Sequence, residues 1–553
     1  MRELPSRAFS RRRFLQLTGS VSAFGLLVAC APAAVPSGEG ASAPAAAEGA
    51  TDTEAAATGG TMVWVGHQEV AGLSPNDGGP TVQWAMISNI HDPMFFLNEN
   101  YELEPRLAES YEAAEDGMTY TFHLRQGVKF HNGTEFTAKD VKYTFEFYAD
   151  AENGSTIANA YKGMGEIETP DDYTVVIHMN EPNASFMVGA ATSWIVPADY
   201  HAEVGEDTYR TKPIGTGAFK LLEWVPAEYT LLEANDDYYQ GRPALDFLRQ
   251  EVVPEPSVRA IALETGDAHY ATWPLLVEDS IRLRDSGEGF TVFESPASSV
   301  KHFPLNNAHP FLSDKQVRQA LLLALDRQRI IDDLWNGAAT VATSNLTPAS
   351  PYYNPTVKTY EYSPDQAIAL LEEAGWTAGA DGVREKDGTR ASFTCTTITG
   401  DQARRPIAEL AQQLLKEVGV EMLLEEAPVA SILEGMRKGE MDASLFNWTY
   451  GTAPEPDASG TLRSDGANNF SQFKNDRVDE LLDQGLQETD PEKRRVYYDE
   501  IQSIVAEEVP FLFLQYDSLF DVFRPEVKGL PEPGTIKTGN VLMAKAYMMS
   551  LSS

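Results

Sequence analysis

The chain has 553 residues, enough for two to four domains at roughly 100–200 residues each. It carries 82 Asp and Glu against 43 Lys and Arg, so its net charge is −39 and it repels nucleic acid. The two cysteines, Cys30 and Cys395, are too few for a disulfide framework and lack the spacing of a structural zinc site. We therefore expect a globular protein whose fold rests on packing alone.

Residues 1–29 have the pattern of an export signal. Arginines at 11–13 precede an apolar stretch at 14–29 that is too short to span a membrane. The arginine pair before Phe14 resembles a twin-arginine signal, and the sequence Leu-Val-Ala-Cys at 27–30 resembles a bacterial lipobox. A plain signal peptide with an incidental cysteine is the alternative. We predict a lipid on Cys30 and expect Cys395 to be a buried apolar residue.

A flexible tether is predicted to follow the lipidated cysteine, over 30–60. Twenty-five of the thirty residues at 31–60 are Ala, Gly, Pro, Ser or Thr, and none is aromatic, so the segment cannot bury enough apolar surface to order itself. No second apolar stretch is long enough to cross a bilayer. The pattern predicts an extracytoplasmic protein anchored by its lipid, on the periplasmic side of the membrane or at the cell surface.

Strands and helices are mixed after residue 60. A strand is predicted at Thr61–Val65, stopped by Gly66, and another at Tyr120–Leu124, where apolar residues alternate. One helix is predicted to start at a Ser313 cap and to reach Leu334. Further helices are predicted at 363–374 and from 490 onward, each with a capping residue followed by proline.

The segment 401–447 alternates between helix and strand patterns. A helix ending at Gly419 is followed by a strand at Val420–Leu424, a helix at about 430–438 and a strand at Ala443–Asn447. Such alternation predicts an α/β layer with a largely parallel sheet, in which ligands bind beyond the carboxyl ends of strands.

Two segments follow predicted strands and are the candidate ligand contacts. The first contains His67 and Glu69, and the second contains Asn447, Trp448 and Tyr450. Trp448 is favoured because it ends a strand and precedes a polar loop broken by prolines. Trp273 is a further aromatic candidate.

Catalytic motifs are almost absent. The sequence has no phosphate loop, no HExxH, no GxSxG and no histidines at metal spacing, so neither a cofactor nor a metal site is predicted. The one partial match is Ser298-x-x-Lys301 with Lys537-Thr538-Gly539, the SxxK and KTG elements of penicillin-recognising serine enzymes. Those enzymes need the serine at a helix start, whereas 290–303 is predicted to be extended. An extracytoplasmic serine hydrolase is kept as the competing class.

Short motifs along the whole body, in combination and order, resemble those of the family 5 extracellular solute-binding proteins, the oligopeptide, dipeptide and nickel receptors of ABC importers. They are Leu107–Tyr111, Tyr120–Arg125, Val128–Gly133, Ala138–Val141, Gly215–Phe219, Asn235–Tyr239, Val317–Leu321 with Asp326-Arg327, Ala374–Trp376 and Val509-Pro510.

The resemblance implies an α/β protein of the periplasmic-binding-protein type, with two lobes that close over a ligand. Lobe I would comprise 61–305, including an extra subdomain at about 100–214, together with a C-terminal return at 510–553. Lobe II would comprise 306–509, with hinge crossings at 306–307 and 508–509. Such a receptor is a monomer without enzymatic activity that delivers a small solute to ABC permease subunits, and a tether keeps it beside its permease.

The sequence departs from the pattern of the family at two places, one of which is the usual Gly-x-x-Asp, changed here to Gly266-Asp267-Ala268-His269. The other departure concerns the peptide receptors. An aspartate that pairs with the α-amino group of the ligand is expected three residues after Trp448, where this chain has Gly451. The nearest acids are Glu455 and Asp457, and Glu69 is a further candidate for that role. A peptide or a related solute is therefore expected, with oligosaccharides or other non-peptide solutes as the alternative.

Overall fold

A computed structural model describes residues 59–77, 81–155, 157–271, 275–401, 404–450, 454–539 and 541–552. The predicted signal, Cys30 and nearly all of the predicted tether lie outside these residues, as do Trp273 and Gly451.

The first half of the body is rich in strands. Its elements are β1 (Thr61–Gly66), α1 (Thr81–Ile90), β2 (Phe95–Leu97), β3 (Leu103–Pro105), β4 (Ala108–Ala113), β5 (Thr119–Leu124), α2 (Ala138–Ala149), β6 (Met164–Asp171), β7 (Thr174–Met179), α3 (Phe186–Gly189), α4 (Ala198–Val204), α5 (Glu206–Tyr209), β8 (Phe219–Val225), β9 (Tyr229–Ala234), β10 (Phe247–Val252), α6 (Pro256–Thr265), β11 (Tyr270–Ala271), α7 (Val277–Asp285) and β12 (Thr291–Pro304).

The second half carries the longer helices. Its elements are α8 (Lys315–Ala324), α9 (Arg327–Trp335), β13 (Ala339–Val341), α10 (Pro364–Glu373), β14 (Thr377–Ala378), β15 (Arg384–Lys386), β16 (Thr389–Arg390), β17 (Ser392–Ile398), α11 (Arg405–Glu417), β18 (Glu421–Ala427), α12 (Val429–Arg437), β19 (Ala443–Ser444), β20 (Phe446–Trp448), α13 (Ser459–Leu462), α14 (Asp476–Gln487), α15 (Pro491–Glu508), β21 (Phe511–Phe523), β22 (Val527–Lys528) and β23 (Ser550–Leu551).

The largest sheet has nine strands in the order β20-β12-β21-β11-β1-β10-β9-β8, with β13 also pairing with β21. Among the described strands of this sheet, the β1–β10 and β1–β11 pairs are parallel and the others antiparallel, because β8, β9 and β10 form a meander and β21 returns antiparallel to β12. The largely parallel sheet predicted from residues 401–447 is confirmed in the separate sheet β18-β17-β19, whose strand pairs are parallel.

Two long strands, β12 and β21, pair along most of their length from Thr291↔Phe523 to Pro304↔Phe511. Beyond that end, the Asn307 side-chain amide donates to the carbonyls of Leu305, Ser471 and Pro510, at 2.7, 3.0 and 3.1 Å. These bonds hold the ends of both strands beside the following segment. A hinge at 306–307 and 508–509 stays a prediction, as do the lobe boundaries.

The predicted helix from Ser313 to Leu334 is two helices. Asp314 caps α8 through the backbone N–H of Gln316, and Asp326 caps α9 through that of Arg329. The chain is extended at Leu325 between them. Asp326, a second capping aspartate within the apolar pattern, explains the break. Its side chain accepts the backbone N–H of Arg329, which has no intrahelical partner in the first turn of α9.

The region predicted as an extra subdomain contains the four-stranded antiparallel sheet β4-β5-β7-β6. Helix α2 covers this sheet, and Phe122, Phe136, Phe145 and Phe186 are fully buried in a core separate from that of the nine-stranded sheet. We call this part the small-sheet region.

Candidate functional site

The carboxyl ends of three strands meet beside β12 and β21. In the parallel pair β17–β18, Ile398 aligns with Ala427 at the last residue of each strand. Strand β19 runs parallel to β17, and the chain continues from it into β20, which ends at Trp448. The residues that follow these strands therefore approach one another, as the strand-end rule predicts.

A row of polar side chains crosses the central strands at this place. Lys301 on β12 is in register with Asn447 on β20 and with Gln515 on β21. Because residues paired across strands project to the same face, and so do residues two apart, Asp517 joins this row. Its carboxylate accepts hydrogen bonds from Lys301 Nζ at 3.1 Å, Asn447 Nδ2 at 2.7 Å and Gln515 Nε2 at 2.6 Å.

Lys301 is the buried cation of this row. Only 4% of its side chain is exposed, and its ammonium lies 3.5 Å from the ring centroid of Trp335 at the end of α9. Burial lowers the pKa of Lys301 to about 8, although the charge of Asp517 opposes the shift. The ammonium is thus held by one carboxylate and one aromatic face.

Arg404 brings a second cation from the loop after β17. It pairs with Asp401 and donates to Asn447 Oδ1 at 3.4 Å, and a quarter of its side chain is exposed. Two buried polar atoms, Arg404 Nε and Gln515 Oε1, have no hydrogen-bond partner among the described residues. Both atoms are buried, so a bound molecule that displaces the groups covering them would find one donor and one acceptor.

Trp448 and Tyr450 differ in their surroundings. Trp448 is half-buried, and its ring meets that of Phe470 edge-on at 4.8 Å. Tyr450 is buried, its ring stacks on Phe511 at 4.7 Å, and its hydroxyl is hydrogen-bonded to His302 Nε2 at 2.7 Å. Tyr450 is therefore a core residue in this structure, and its contact with a ligand stays a prediction.

The strand end of β1 is built differently. Glu69 is exposed, and its carboxylate accepts a hydrogen bond from the backbone N–H of Ala227 at 2.7 Å. His67 is half-buried, and burial together with the charge of Arg259 lowers its pKa. No described contact joins either side chain to the row at Lys301, and their roles stay predictions.

The two acids after Trp448 both have local partners. Glu455 forms a bidentate ion pair with the buried Arg494, at 2.5 and 3.1 Å. Asp457 accepts hydrogen bonds from the backbone N–H and the hydroxyl of Ser459, at 3.1 and 2.6 Å. Each carboxylate is thus already used within the protein.

Sequence reasoning missed five side chains of this site: Lys301, Trp335, Arg404, Gln515 and Asp517. One signal was available, since Gln515 and Asp517 are polar residues two apart that follow the apolar start of β21. This period places both on one face of a strand. Their pairing with Lys301 depends on the register of β12, which the sequence does not indicate.

Metal sites and membrane-spanning helices are absent from the described ranges. No group of three or more His, Cys, Asp or Glu side chains there has the arrangement of a metal site. None of the helices in that part of the chain is both long and apolar enough to cross a membrane.

Comparison with known proteins identifies the family. The profile described as "Bacterial extracellular solute-binding proteins, family 5 Middle" matches residues 102–470. The oligopeptide-binding protein AppA of Bacillus subtilis is 30% identical over 432 residues, covering 76% of this chain and 79% of that protein. Heme-binding protein A of Haemophilus influenzae is 29% identical over 467 residues, covering 78% and 82%. This chain belongs to the family 5 extracellular solute-binding proteins, which serve ABC importers.

Solved structures of similar proteins agree with this family assignment. The complex of Bacillus subtilis AppA with a nonapeptide has a TM-score of 0.75 and 26% identity, covering 90% of this chain and 100% of that one. NikZ of Campylobacter jejuni, in complex with Ni(L-His), has a TM-score of 0.76 and 25% identity, covering 89% and 99%. The predicted two-lobed α/β fold of the periplasmic-binding-protein type is confirmed.

The chain is a binding protein and not an enzyme. The hydrolase alternative required Ser298 at the start of a helix, but Ser298 lies inside β12. Lys301, the lysine of that motif, is paired with Asp517. The SxxK match is therefore a coincidence of sequence.

Proposed function

We propose that this protein is the lipid-anchored, extracytoplasmic receptor of an ABC importer and that it binds a peptide or a chemically related small solute at the end of β20. The observation that carries the ligand class is the pair of unpartnered polar atoms in the network of Lys301 and Asp517. A peptide presents amide donors, carbonyl acceptors and a terminal carboxylate, which match an acceptor on Gln515 and a donor on Arg404.

Trp448 is proposed as an aromatic wall of this site and Asn447 as part of its polar floor. A half-buried indole at a strand end offers an apolar surface for a side chain of the solute. The complex of a similar protein, AppA, with a nonapeptide supports a peptide for this chain as well. An oligosaccharide or another non-peptide solute would use the same aromatic surface, and the experiment distinguishes these ligands.

The proposal is tested with the solute that the protein carries from its own host. Cys30→Ser should release the protein from the membrane fraction, since only the lipid is proposed to hold it there. Native mass spectrometry of the released protein should show a co-purified peptide, recovered chemically unchanged.

Trp448→Ala should abolish the co-purified mass, whereas Trp224→Ala, the matched control that removes a half-buried indole from β8 at the opposite edge of the sheet, should retain it. A recovered saccharide would replace the peptide proposal, and retention of the solute by Trp448→Ala would remove Trp448 from the site. Cys30→Ser protein that stays in the membrane pellet would contradict the lipid anchor.

A further inference from the structure

Arg494, on α15, joins three parts of the chain although it is only 4% exposed. Its guanidinium pairs with Glu455, its Nε donates to the carbonyl of Gly485 at 2.8 Å, and its Nη2 lies 3.5 Å from the hydroxyl of Ser185. Glu455 follows Trp448 by seven residues, Gly485 is on α14, and Ser185 belongs to the small-sheet region. One side chain therefore contacts both predicted lobes.

The C-terminal end of α14 explains why these contacts occur together. The last carbonyls of a helix lack intrahelical partners. The carbonyl of Gly485 is satisfied by Arg494, and the next one, of Leu486, accepts the backbone N–H of Ala184 at 2.8 Å. One of two adjacent carbonyls thus bonds to Arg494 and the other to the small-sheet region. The positive guanidinium is also stabilised by the negative end of the helix dipole.

Close packing fixes α14 to α15. Gly485 lies so near Tyr498 that a Cβ at this position would come within 2.8 Å of the ring. A shift of Arg494 therefore moves the end of α14, which carries the carbonyl that meets Ala184.

Asn183 holds the opposite side of this contact rigidly. Its amide donates to the carbonyl of Lys162 at 2.9 Å, and its Oδ1 accepts from the backbone N–H of Ser185 at 2.9 Å. Ala184 and Ser185 are consequently presented as a preformed edge.

Glu455 sets the position of Arg494. Burial by itself would lower the pKa of Arg494, but the charge of Glu455 raises it above its ordinary value. The pair is therefore ionised, and removal of either partner would leave a buried charge uncompensated. Through Arg494, the position of Glu455 is linked to the end of α14.

The contact itself is polar. Beside it lies a cavity of about 230 Å³ lined largely by polar side chains, including Lys162, Glu181, Asp483 and Gln487. The hydrogen bonds to α14 therefore contribute to keeping the contact formed.

We propose that Arg494 is a positioning residue that couples Glu455 to closure of the lobes at Ala184 and Leu486. The proposal rests on the proposed function only in treating Glu455 as close to the ligand. The dependence of the contact on Glu455 is a property of the protein alone.

The test is disulfide trapping in the Cys30→Ser protein without added solute. Ala184→Cys with Leu486→Cys places two thiols on residues whose backbones are hydrogen-bonded, within the range in which disulfides form. The native Cys395 does not compete, because it is fully buried and burial raises its pKa to about 12. A mild oxidant should close the intrachain disulfide rapidly.

Glu455→Gln should slow disulfide formation about tenfold, the worth of one hydrogen-bonded charge pair. Arg494→Lys keeps the positive charge but cannot form the bidentate pair with Glu455, so it should slow disulfide formation as well. The matched control is Glu500→Gln, on the same helix as Arg494. Glu500 pairs with the exposed Arg477, so this variant should form the disulfide at the parental rate.

Two results would overturn the coupling: no disulfide in the parent protein, or an unchanged rate in a folded Glu455→Gln variant. If Glu455→Gln fails to fold, Glu455→Asp shortens the side chain while keeping its charge, and an unchanged rate in that variant would be equally decisive. Absence of a co-purified solute would contradict the proposed function but would leave the trapping rates and their meaning intact.

Discussion

Two strand ends were predicted by one rule and differ in the structure. After β1, Glu69 bonds to a neighbouring backbone N–H. After β20, Asn447 joins a network with Lys301, Asp517 and Arg404 that draws on β12, β21 and the loop after β17. The carboxyl end of a strand is thus a position where a binding site can form, and the neighbouring strands determine whether polar groups converge there.

The largest expected effect follows from the buried charge at the second strand end. Asp517→Ala leaves the Lys301 ammonium without its carboxylate and should lower the free energy of unfolding by about 3–5 kcal/mol. Glu69→Gln, at the exposed strand end, should change it by less than about 0.5 kcal/mol. Urea denaturation of both variants measures the difference.

A double variant sharpens this result. Lys301→Met with Asp517→Leu removes both charges and should recover most of the lost stability, since apolar replacements of a buried pair are often neutral. A cost below about 1 kcal/mol for Asp517→Ala alone would show that the network is hydrated and that the two strand ends are alike.

The second prediction concerns pH. The pKa of Lys301 is about 8 in the folded protein and 10.5 ordinarily, so between these values the unfolded chain binds more protons. Stability contributed by this lysine should therefore rise from pH 8 to 10.5, by about 3 kcal/mol. The contribution of Lys301 is measured as the difference in unfolding free energy between wild type and Lys301→Met from pH 8 to 10.5. Parallel pH profiles for the two proteins would contradict the burial of the ammonium.

The third prediction separates Tyr450 from Trp448 at the same strand end. Tyr450→Phe removes the hydroxyl that is hydrogen-bonded to the buried His302 and should cost about 1–2 kcal/mol of unfolding free energy. The stacking on Phe511 is retained in this variant. Thermal melts of the solute-free protein give the cost, and a change of less than about 0.3 kcal/mol would mean that the hydroxyl is solvated.

The last prediction concerns three carboxylates and the affinity for an N-acetylated peptide, and here the expected change is small. Glu455 is held in an ion pair with Arg494, and Asp457 and Glu69 accept local hydrogen bonds, so we expect none of them to leave these positions to hold the amino terminus of a peptide. If the recovered solute is a peptide, N-acetylation should change its affinity by less than tenfold, under about 1.4 kcal/mol, in isothermal titration calorimetry. A loss of a hundredfold would show that one of these acids exchanges its partner for the ligand.

Local sequence signals predicted most of the secondary structure at the site. The helices at 405–417 and 429–437 and the strands around them were recognised from apolar periodicity, because an element with one buried face repeats at the spacing of its own geometry. The break between α8 and α9 was missed, since the capping role of Asp326 competes with a continuous apolar pattern. The strand-end rule located Asn447 and Trp448 correctly at the end of β20.

Motifs and periodicities that are local in the chain were enough to predict the family, the α/β class and the places where strands end. Which distant side chains share a site depends on the tertiary structure. Lys301 and Asp517 are 216 residues apart and meet through the register of β12 with β21. Glu455 and Arg494 meet because a buried guanidinium requires a carboxylate. Register and burial arise from the packing of whole elements, so local patterns cannot specify them.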